Sequence, residues 1–405
     1  MPAQHTPQIL LCSAWQTVNI GDIAHTPGAL AVLEQYLPEA EVTLWPHNPL
    51  TPDIEAMIRR RFPRFSVVSG TVSEDGTGSS PELNRAMDAS DFLLHGSGPA
   101  TLAWKNAEGF TRRTGRPFGV YGVTYGLYGI PEKATLSRAR FAYFRDSVSL
   151  EAARRDGVRP PVIGLAPDAA FGFDMRDDAK ASAFLRANGL EEGRFLCCIS
   201  RLRNTPFWEI PSKKVAFDPV KHARNEEMKE HDHLPLREAI IAVTRKTTMK
   251  VLICPEDETQ IRITKENLVD KLPDDVRAKV VWRDRFWLPD EALAVYSRSA
   301  GLFGSEMHSP VMCIGNGIPA VVCRWAEQSN KGFMWRDIGL GEWLFDLDKE
   351  EEVRKVADMV LTLAQNPFAA KAKATKARDL VRNRFTETMA VVRREVLTAC
   401  NARSK

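Results

Sequence analysis

A chain of 405 residues is roughly two to three times the usual domain length, which predicts two domains, each burying its own core. Hydrophobic residues at 44% and charged residues at 26% place it among ordinary globular proteins and exclude a disordered chain. The 55 Lys and Arg nearly cancel the 52 Asp and Glu, leaving a formal charge of +3, so nothing in the balance calls for nucleic acid as a partner.

The seven cysteines, Cys12, Cys197, Cys198, Cys254, Cys313, Cys323 and Cys400, form no C-x-x-C pair and predict reduced structural thiols with no metal site. The opening residues MPAQHTPQILLCSAW lack the basic and apolar regions of a signal peptide. No stretch reaches the roughly 20 apolar residues of a membrane span, so the expectation is a cytoplasmic protein without an integral membrane segment.

In chain order, an apolar run at 9–14 reads as a strand, the loop Asn19-Ile20-Gly21-Asp22 follows, and a helical pattern covers 28–36. Strands recur at 42–45, 65–68 and 92–94, with a helix at 52–62 between the first two. Further strands fall at 117–121, 141–145 and 162–165. This alternation predicts a mainly parallel sheet with right-handed crossovers. A polar helix at 176–190 then leads to a fresh strand at 195–200, which opens a second series with strands at 250–254, 280–282, 301–304 and 320–323.

The expected architecture is therefore α/β, with two Rossmann-like parallel-sheet domains at 1–175 and 176–405 facing a cleft, and a ligand outside the carboxyl ends of the strands. Pro206, Pro211, Pro219 and Pro235 interrupt a charged stretch at 203–235, which reads as a long functional or mobile loop. The tail at 350–405 has helical spacing and reads as closing helices of the second domain, its last few residues frayed.

Several loops carry chemistry. Asn19-Ile20-Gly21-Asp22 with His25 opens a helix, where free amides and the helix dipole favour an anion, or where Asn19 and Asp22 act as caps. His95-Gly96-Ser97-Gly98 and the turn 121–126, with Tyr125, let the backbone approach a ligand closely or simply turn the chain. Arg145-Asp146 and Asp168 read as turn-holding residues. Arg201 and Arg203 leave their strand with two guanidiniums suited to a carboxylate or phosphate, or to a surface ion pair. Glu306, His308 and Ser309 place an acid, an imidazole and a hydroxyl at the end of a strand, suited to acid–base work, and Gln328, Asn330 and Lys331 can close over the same place. His222, His231 and His233 with Asp232 lack the spacing of a metal motif and read as part of a polar loop.

The ordered set Asn19-Ile20-Gly21-Asp22, the turn 95–98, Gly119-Val120-Tyr121-Gly122, Arg145-Asp146 with Ser149, Pro167-Asp168, Ser200-Arg201, His308-Ser309, Gly317-Ile318-Pro319 and Lys331 resembles the polysaccharide pyruvyl transferase family. The resemblance runs from about Asn19 to Lys331 and rests on order and spacing. It implies a GT-B-like fold with an acceptor-side first domain and a donor-side second domain. It also implies transfer from phosphoenolpyruvate, as co-substrate, to hydroxyls of a glycan or lipid-linked sugar, giving a pyruvate ketal and phosphate without a metal or other cofactor; homo-oligomers are compatible with it.

Carried over, Arg201, Arg203, Ser309 and Lys331 hold the donor, and His308 contacts its phosphate or acts as acid. Asp22 or Glu306 is the base. Asn19, Gly21, His25, His95, Ser97 and Tyr125 line the acceptor side. One position departs from the family: Glu306 stands where it has Arg, two residues before the His. A carboxylate there repels a dianionic phosphate and removes a bidentate clamp, unless Arg203 or Arg324 compensates. Two alternatives follow: a GT-B glycosyltransferase whose Glu306 binds a hydroxyl of a nucleotide sugar, or a non-catalytic glycan-binding member.

Overall fold

The computed structural model describes residues 5–127 and 131–403. Residues 1–4 of the opening segment and 404–405 at the expected frayed end lie outside the described residues. The chain forms two compact units, one of Met1–Thr17, Asp22–Asp174 and Leu380–Lys405, the other of Val18–Gly21 and Met175–Asp379.

The first unit is built on seven parallel strands, β1 (Gln8–Ser13), β2 (Glu41–Pro46), β3 (Ser66–Val67), β4 (Phe92–His95), β5 (Phe118–Val123), β6 (Phe141–Phe144) and β7 (Val162–Leu165). They lie in the order β3-β2-β1-β4-β5-β6-β7. Helices on both faces require strands that are apolar on both sides, and β1, β4, β5 and β6 are such near-continuous buried runs. Leu10 lies opposite Thr43 on one side and Leu93 on the other. The strand order reverses between β1 and β4, the crevice position where such sheets take ligands.

Two expectations are corrected in this unit. The helix predicted at 28–36 begins at Ile20 and runs to Tyr36. Pro27 lies inside this helix, because residues from Ile20 to Leu30 are buried and their packing outweighs the lost hydrogen bond. The second correction concerns the closing helix, Pro367–Arg403, whose part from Leu380 onward belongs to the first unit and not to a 176–405 domain. Val381, Phe385, Met389, Val392 and Val396 recur at helical spacing and are buried. Tyr36 and Tyr121 reach Thr386 and Thr388 at 3.2 and 2.7 Å, and Arg140 pairs with Glu395 at 2.8 Å.

The second unit carries six parallel strands, β8 (Phe195–Ile199), β9 (Lys250–Ile253), β10 (Val280–Trp282), β11 (Gly301–Gly304), β12 (Ala320–Arg324) and β13 (Leu344–Asp346), in the order β10-β9-β8-β11-β12-β13. The reversal falls between β8 and β11. Their ends approach closely: Gly304 has φ 151°, and a Cβ there would run into the Ile199 carbonyl oxygen, so only glycine fits.

The stretch at 203–235 is not one long loop. After short 3-10 turns at Phe207–Glu209 and Pro211–Lys213, a helix runs from Pro219 to Lys246. Asp218 caps it through the amides of Val220 and Lys221 at 3.1 and 3.0 Å, and Pro219 takes the first position, where no N–H is needed. Pro235 lies inside, tolerated because Leu236, Ala239, Ile240 and Val243 are fully buried. His222, His231 and His233 therefore sit on a helix; His233 Nδ1 lies 2.6 Å from the Lys229 carbonyl, and His231 lies between Asp232 and Glu350. Among the described residues no helix is long and apolar enough to cross a membrane, and all seven cysteines are free and buried.

Candidate active site

In the second unit, polar side chains gather at the carboxyl ends of β8, β9, β11 and β12, around the strand-order reversal. Arg201 leaves β8 with its backbone N–H donating to Ser305 Oγ at 3.1 Å, which ties it to the loop after β11. Its guanidinium donates to the Leu202 carbonyl (3.1 Å) and Thr205 Oγ1 (2.9 Å), and Nη1 lies 3.5 Å from Glu306 Oε1. Glu306 is only 1% exposed. Gln260 Nε2 donates to its Oε1 at 2.7 Å and also reaches Asp257 Oδ2 at 3.2 Å.

His308 and Ser309 open the helix His308–Gly315. His308 Nδ1 lies 3.2 Å from Glu256 Oε1, and the Ser309 backbone N–H donates to Glu256 Oε2 at 2.8 Å. Tyr296 Oη donates to Ser309 Oγ at 3.3 Å. Glu256 is held in turn by its own N–H, which donates to Gln260 Oε1 at 2.7 Å. Gln328 donates to the Ser305 carbonyl at 2.8 Å. Lys331 lies on the 3-10 turn Asn330–Phe333.

Burial, then the charge of Glu256, pushes the Glu306 carboxyl above its usual range, while Arg201, Lys331 and His308 pull the other way. Burial raises Asp257 to about 6 despite its bonds to Thr259, and the Glu306 charge adds to the rise. The cluster thus favours a proton on a carboxyl beside a guanidinium and an imidazole, the equipment of acid catalysis. Two buried polar atoms beside it, Ser200 Oγ and Gln328 Oε1, have no hydrogen-bond partner among the described residues, an arrangement costly for a fold and useful for a ligand.

Two expected site residues move. Asn19 and Gly21 belong to the second unit, not to an acceptor-side first domain. Asn19 bridges to Asp257, Ile20 N–H donates to the Glu256 carbonyl at 2.9 Å, and Asn19 Oδ1 caps Gly21 N–H at 2.8 Å. Arg203 does not join Arg201. Its guanidinium is bidentate to Asp232 at 2.9 and 3.0 Å and also meets Glu327 and Asp348 at 3.0 and 2.7 Å, so its donors are consumed by a structural ion cluster. Arg324 is likewise directed to Asp346 and the Trp325 carbonyl. Neither guanidinium takes the place of the missing arginine beside Glu306. Glu256, Asp257 and Gln260 are not among the residues expected from the sequence, although the strand at 250–254 marks their loop.

The remaining expected residues belong to the first unit, where most are structural. His95 is fully buried, stacked on Trp15 at 4.8 Å, with Nδ1 2.8 Å from the Gly96 carbonyl and Nε2 accepting the Ala103 N–H at 3.2 Å. Burial lowers its pKa to about 4, so it is a neutral core residue. Ser97 Oγ accepts the Ala169 N–H at 2.7 Å. Tyr125 lines a cavity of about 470 Å³ with Glu132, Lys133, Ser137 and Asp156.

His25 Nε2 lies 3.2 Å from Asp168 Oδ2, and its Nδ1 lies 3.9 Å from Asp22 Oδ1. Asp168 also takes Arg145 at 2.8 Å, and Arg145 Nε reaches Thr124 at 2.7 Å. Asp168→Ala is expected to destabilise the protein by about 3–5 kcal/mol, because Arg145 then stays buried without its carboxylate; denaturant unfolding measures it.

A pair of parallel α/β sheet units with a polar site at strand ends defines the GT-B class of fold, and solved structures of that class are similar along nearly the whole chain. A glycosyltransferase from Rickettsia africae is 11% identical with a TM-score of 0.56, covering 97% of this chain and 99% of that one. UDP-GlcNAc 2-epimerase from Neisseria meningitidis, bound to UDP-GlcNAc, is 11% identical with a TM-score of 0.55, covering 96% and 100%. A putative UDP-N-acetylglucosamine 2-epimerase from Listeria monocytogenes is 11% identical with a TM-score of 0.56, covering 92% and 91%.

Within that class, residues 19–327 match the family model for polysaccharide pyruvyl transferase. The chain belongs to this family of glycan-modifying transferases. No curated protein matches it in sequence.

Proposed function

We propose that the protein transfers an enolpyruvyl-derived group from phosphoenolpyruvate to hydroxyls of a glycan, forming a pyruvate ketal. The observation that carries this reading is the buried Glu306 carboxyl, 3.5 Å from Arg201 and within electrostatic reach of His308, in a family whose members act on glycans. An enol phosphate offers a carboxylate for Arg201 and a methylene carbon that must gain a proton before C2 can accept a hydroxyl oxygen.

On this reading Glu306 is a catalytic acid and not a lost clamp. Its O–H gives a proton to C3, the acceptor oxygen bonds to C2, and His308 takes the hydroxyl proton, which returns to Glu306. The C2–O bond to phosphate then breaks, a second hydroxyl adds to C2, and its proton leaves with the phosphate. With Glu306 protonated, repulsion of the donor's anionic groups is relieved while Arg201 and Lys331 remain cations. Incubation with phosphoenolpyruvate and a panel of oligosaccharides in D2O is expected to release phosphate and to place one deuterium in a new ketal methyl group. Transfer with no deuterium in the methyl would exclude acid delivery to C3.

A second reading has a specific observation in its favour. Glu306 replaces the family's arginine, and the Neisseria meningitidis neighbour is bound to UDP-GlcNAc. A carboxylate at that position would accept hydrogen bonds from the hydroxyls of a nucleotide sugar.

A further inference from the structure

His308 is gripped on two sides within the second unit. On one side is Glu256, fully buried, with one oxygen 3.2 Å from His308 Nδ1 and the other accepting the Ser309 N–H at 2.8 Å. Its backbone is fixed as well, since the N–H is bound by Gln260 and the carbonyl by Ile20. On the other side is Gly21, where a Cβ would collide with the His308 Cβ and the adjoining ring atoms Cγ and Nδ1. Asn19, through its cap on Gly21 and its bridge to Asp257, keeps that backbone against the ring.

We infer that Glu256 is a positioning residue that, with Gly21 as backstop, holds His308 in the tautomer carrying its proton on Nδ1 and so makes Nε2 the atom that exchanges protons with the substrate. A carboxylate accepts at both oxygens, so the Nδ1–H and the Ser309 N–H are satisfied together. Glutamine at 256 cannot do both. The Ser309 N–H can only donate and so keeps the single carbonyl, while the imidazole can switch tautomer; the NH2 then faces Nδ1 and drives the proton to Nε2, the wrong tautomer for a base. This inference rests on the reading above only in taking His308 to act on substrate; the tautomer claim stands apart from it.

The two parts are tested separately. Nitrogen shifts of the His308 ring in 15N-histidine-labelled protein are expected to show Nδ1 protonated in the resting wild type. That measurement needs no variant and no substrate. In Glu256→Gln the proton is expected on Nε2, and kcat for donor turnover is expected to fall by about 10²–10⁴-fold while KM for phosphoenolpyruvate changes by less than about 3-fold. Gly21→Ala, which leaves Glu256 intact, is expected to shift the His308 ring resonances and lower kcat in the same direction.

A wild-type ring protonated on Nε2, or a Glu256→Gln ring unchanged from wild type, would overturn the inference whatever the enzyme does. The expected tautomer switch with unchanged kcat would instead remove His308 from the reaction, and with it that part of the proposed function.

Discussion

Glu306→Gln is expected to lower the rate of transfer by about 10²–10⁴-fold while leaving donor affinity within a few-fold of wild type. The substitution keeps the shape and the acceptor oxygen that Gln260 bonds at 2.7 Å, and it replaces the acidic O–H by an amide that cannot deliver a proton. It also rules out an ionised carboxylate beside Arg201, so binding of an anionic donor should strengthen if it changes at all. Single-turnover kinetics separates the two effects. A variant that turns over normally would show that Glu306 is not the acid, and one that loses a nucleotide sugar instead would favour the second reading.

Arg201→Ala is expected to weaken donor binding by about 2–3 kcal/mol, roughly 30- to 150-fold, because a charge-assisted pair of hydrogen bonds to the donor's carboxylate is lost in a mostly buried setting. Arg201→Lys should recover part of the loss, since an ammonium keeps the charge without the fork. Isothermal titration with phosphoenolpyruvate measures both. Arg203→Ala should behave differently: it strips Asp232, Glu327 and Asp348 of their shared cation, so its effect falls on unfolding and not on the donor. Equal loss of donor affinity in both variants, with stability intact, would contradict the division of labour between the two arginines.

Much of the fold is legible in the sequence because parallel strands buried on both faces read as short apolar runs between polar stretches. β13, three residues long and following a polar 3-10 turn, has too little pattern to stand out. Proline misleads where packing dominates. Pro235 reads as a break, yet it lies inside a helix whose buried residues outweigh one missing N–H. The tail carries a clear helical period, but a period does not say which sheet it covers; long-range contacts such as those of Tyr36, Tyr121 and Arg140 reveal that Leu380 onward belongs to the first unit.

Of the site, Arg201, Glu306 and His308 are legible because each follows a strand at the carboxyl edge. Arg203 looks equivalent to Arg201 in sequence, two residues away. Its true partners lie 29, 124 and 145 positions downstream, and no local pattern announces them. His95 and Ser97 suggest a ligand turn, but their polar atoms are spent on backbone groups of the same unit. Glu256 has no motif at all. Its proposed role comes from reaching His308 and Ser309 across 52 and 53 residues, a relation that exists only once β9 and β11 are set beside β8.

Thermal unfolding of the purified protein with phosphoenolpyruvate, inorganic phosphate, UDP-GlcNAc or GDP-mannose tests the donor assignment most directly, since a ligand that binds only the folded state must raise its midpoint. A shift with phosphoenolpyruvate that is lost in Arg201→Ala is the expected result. A shift with a nucleotide sugar and none with phosphoenolpyruvate would contradict it and make the protein a glycosyl-transferring member of the same fold class.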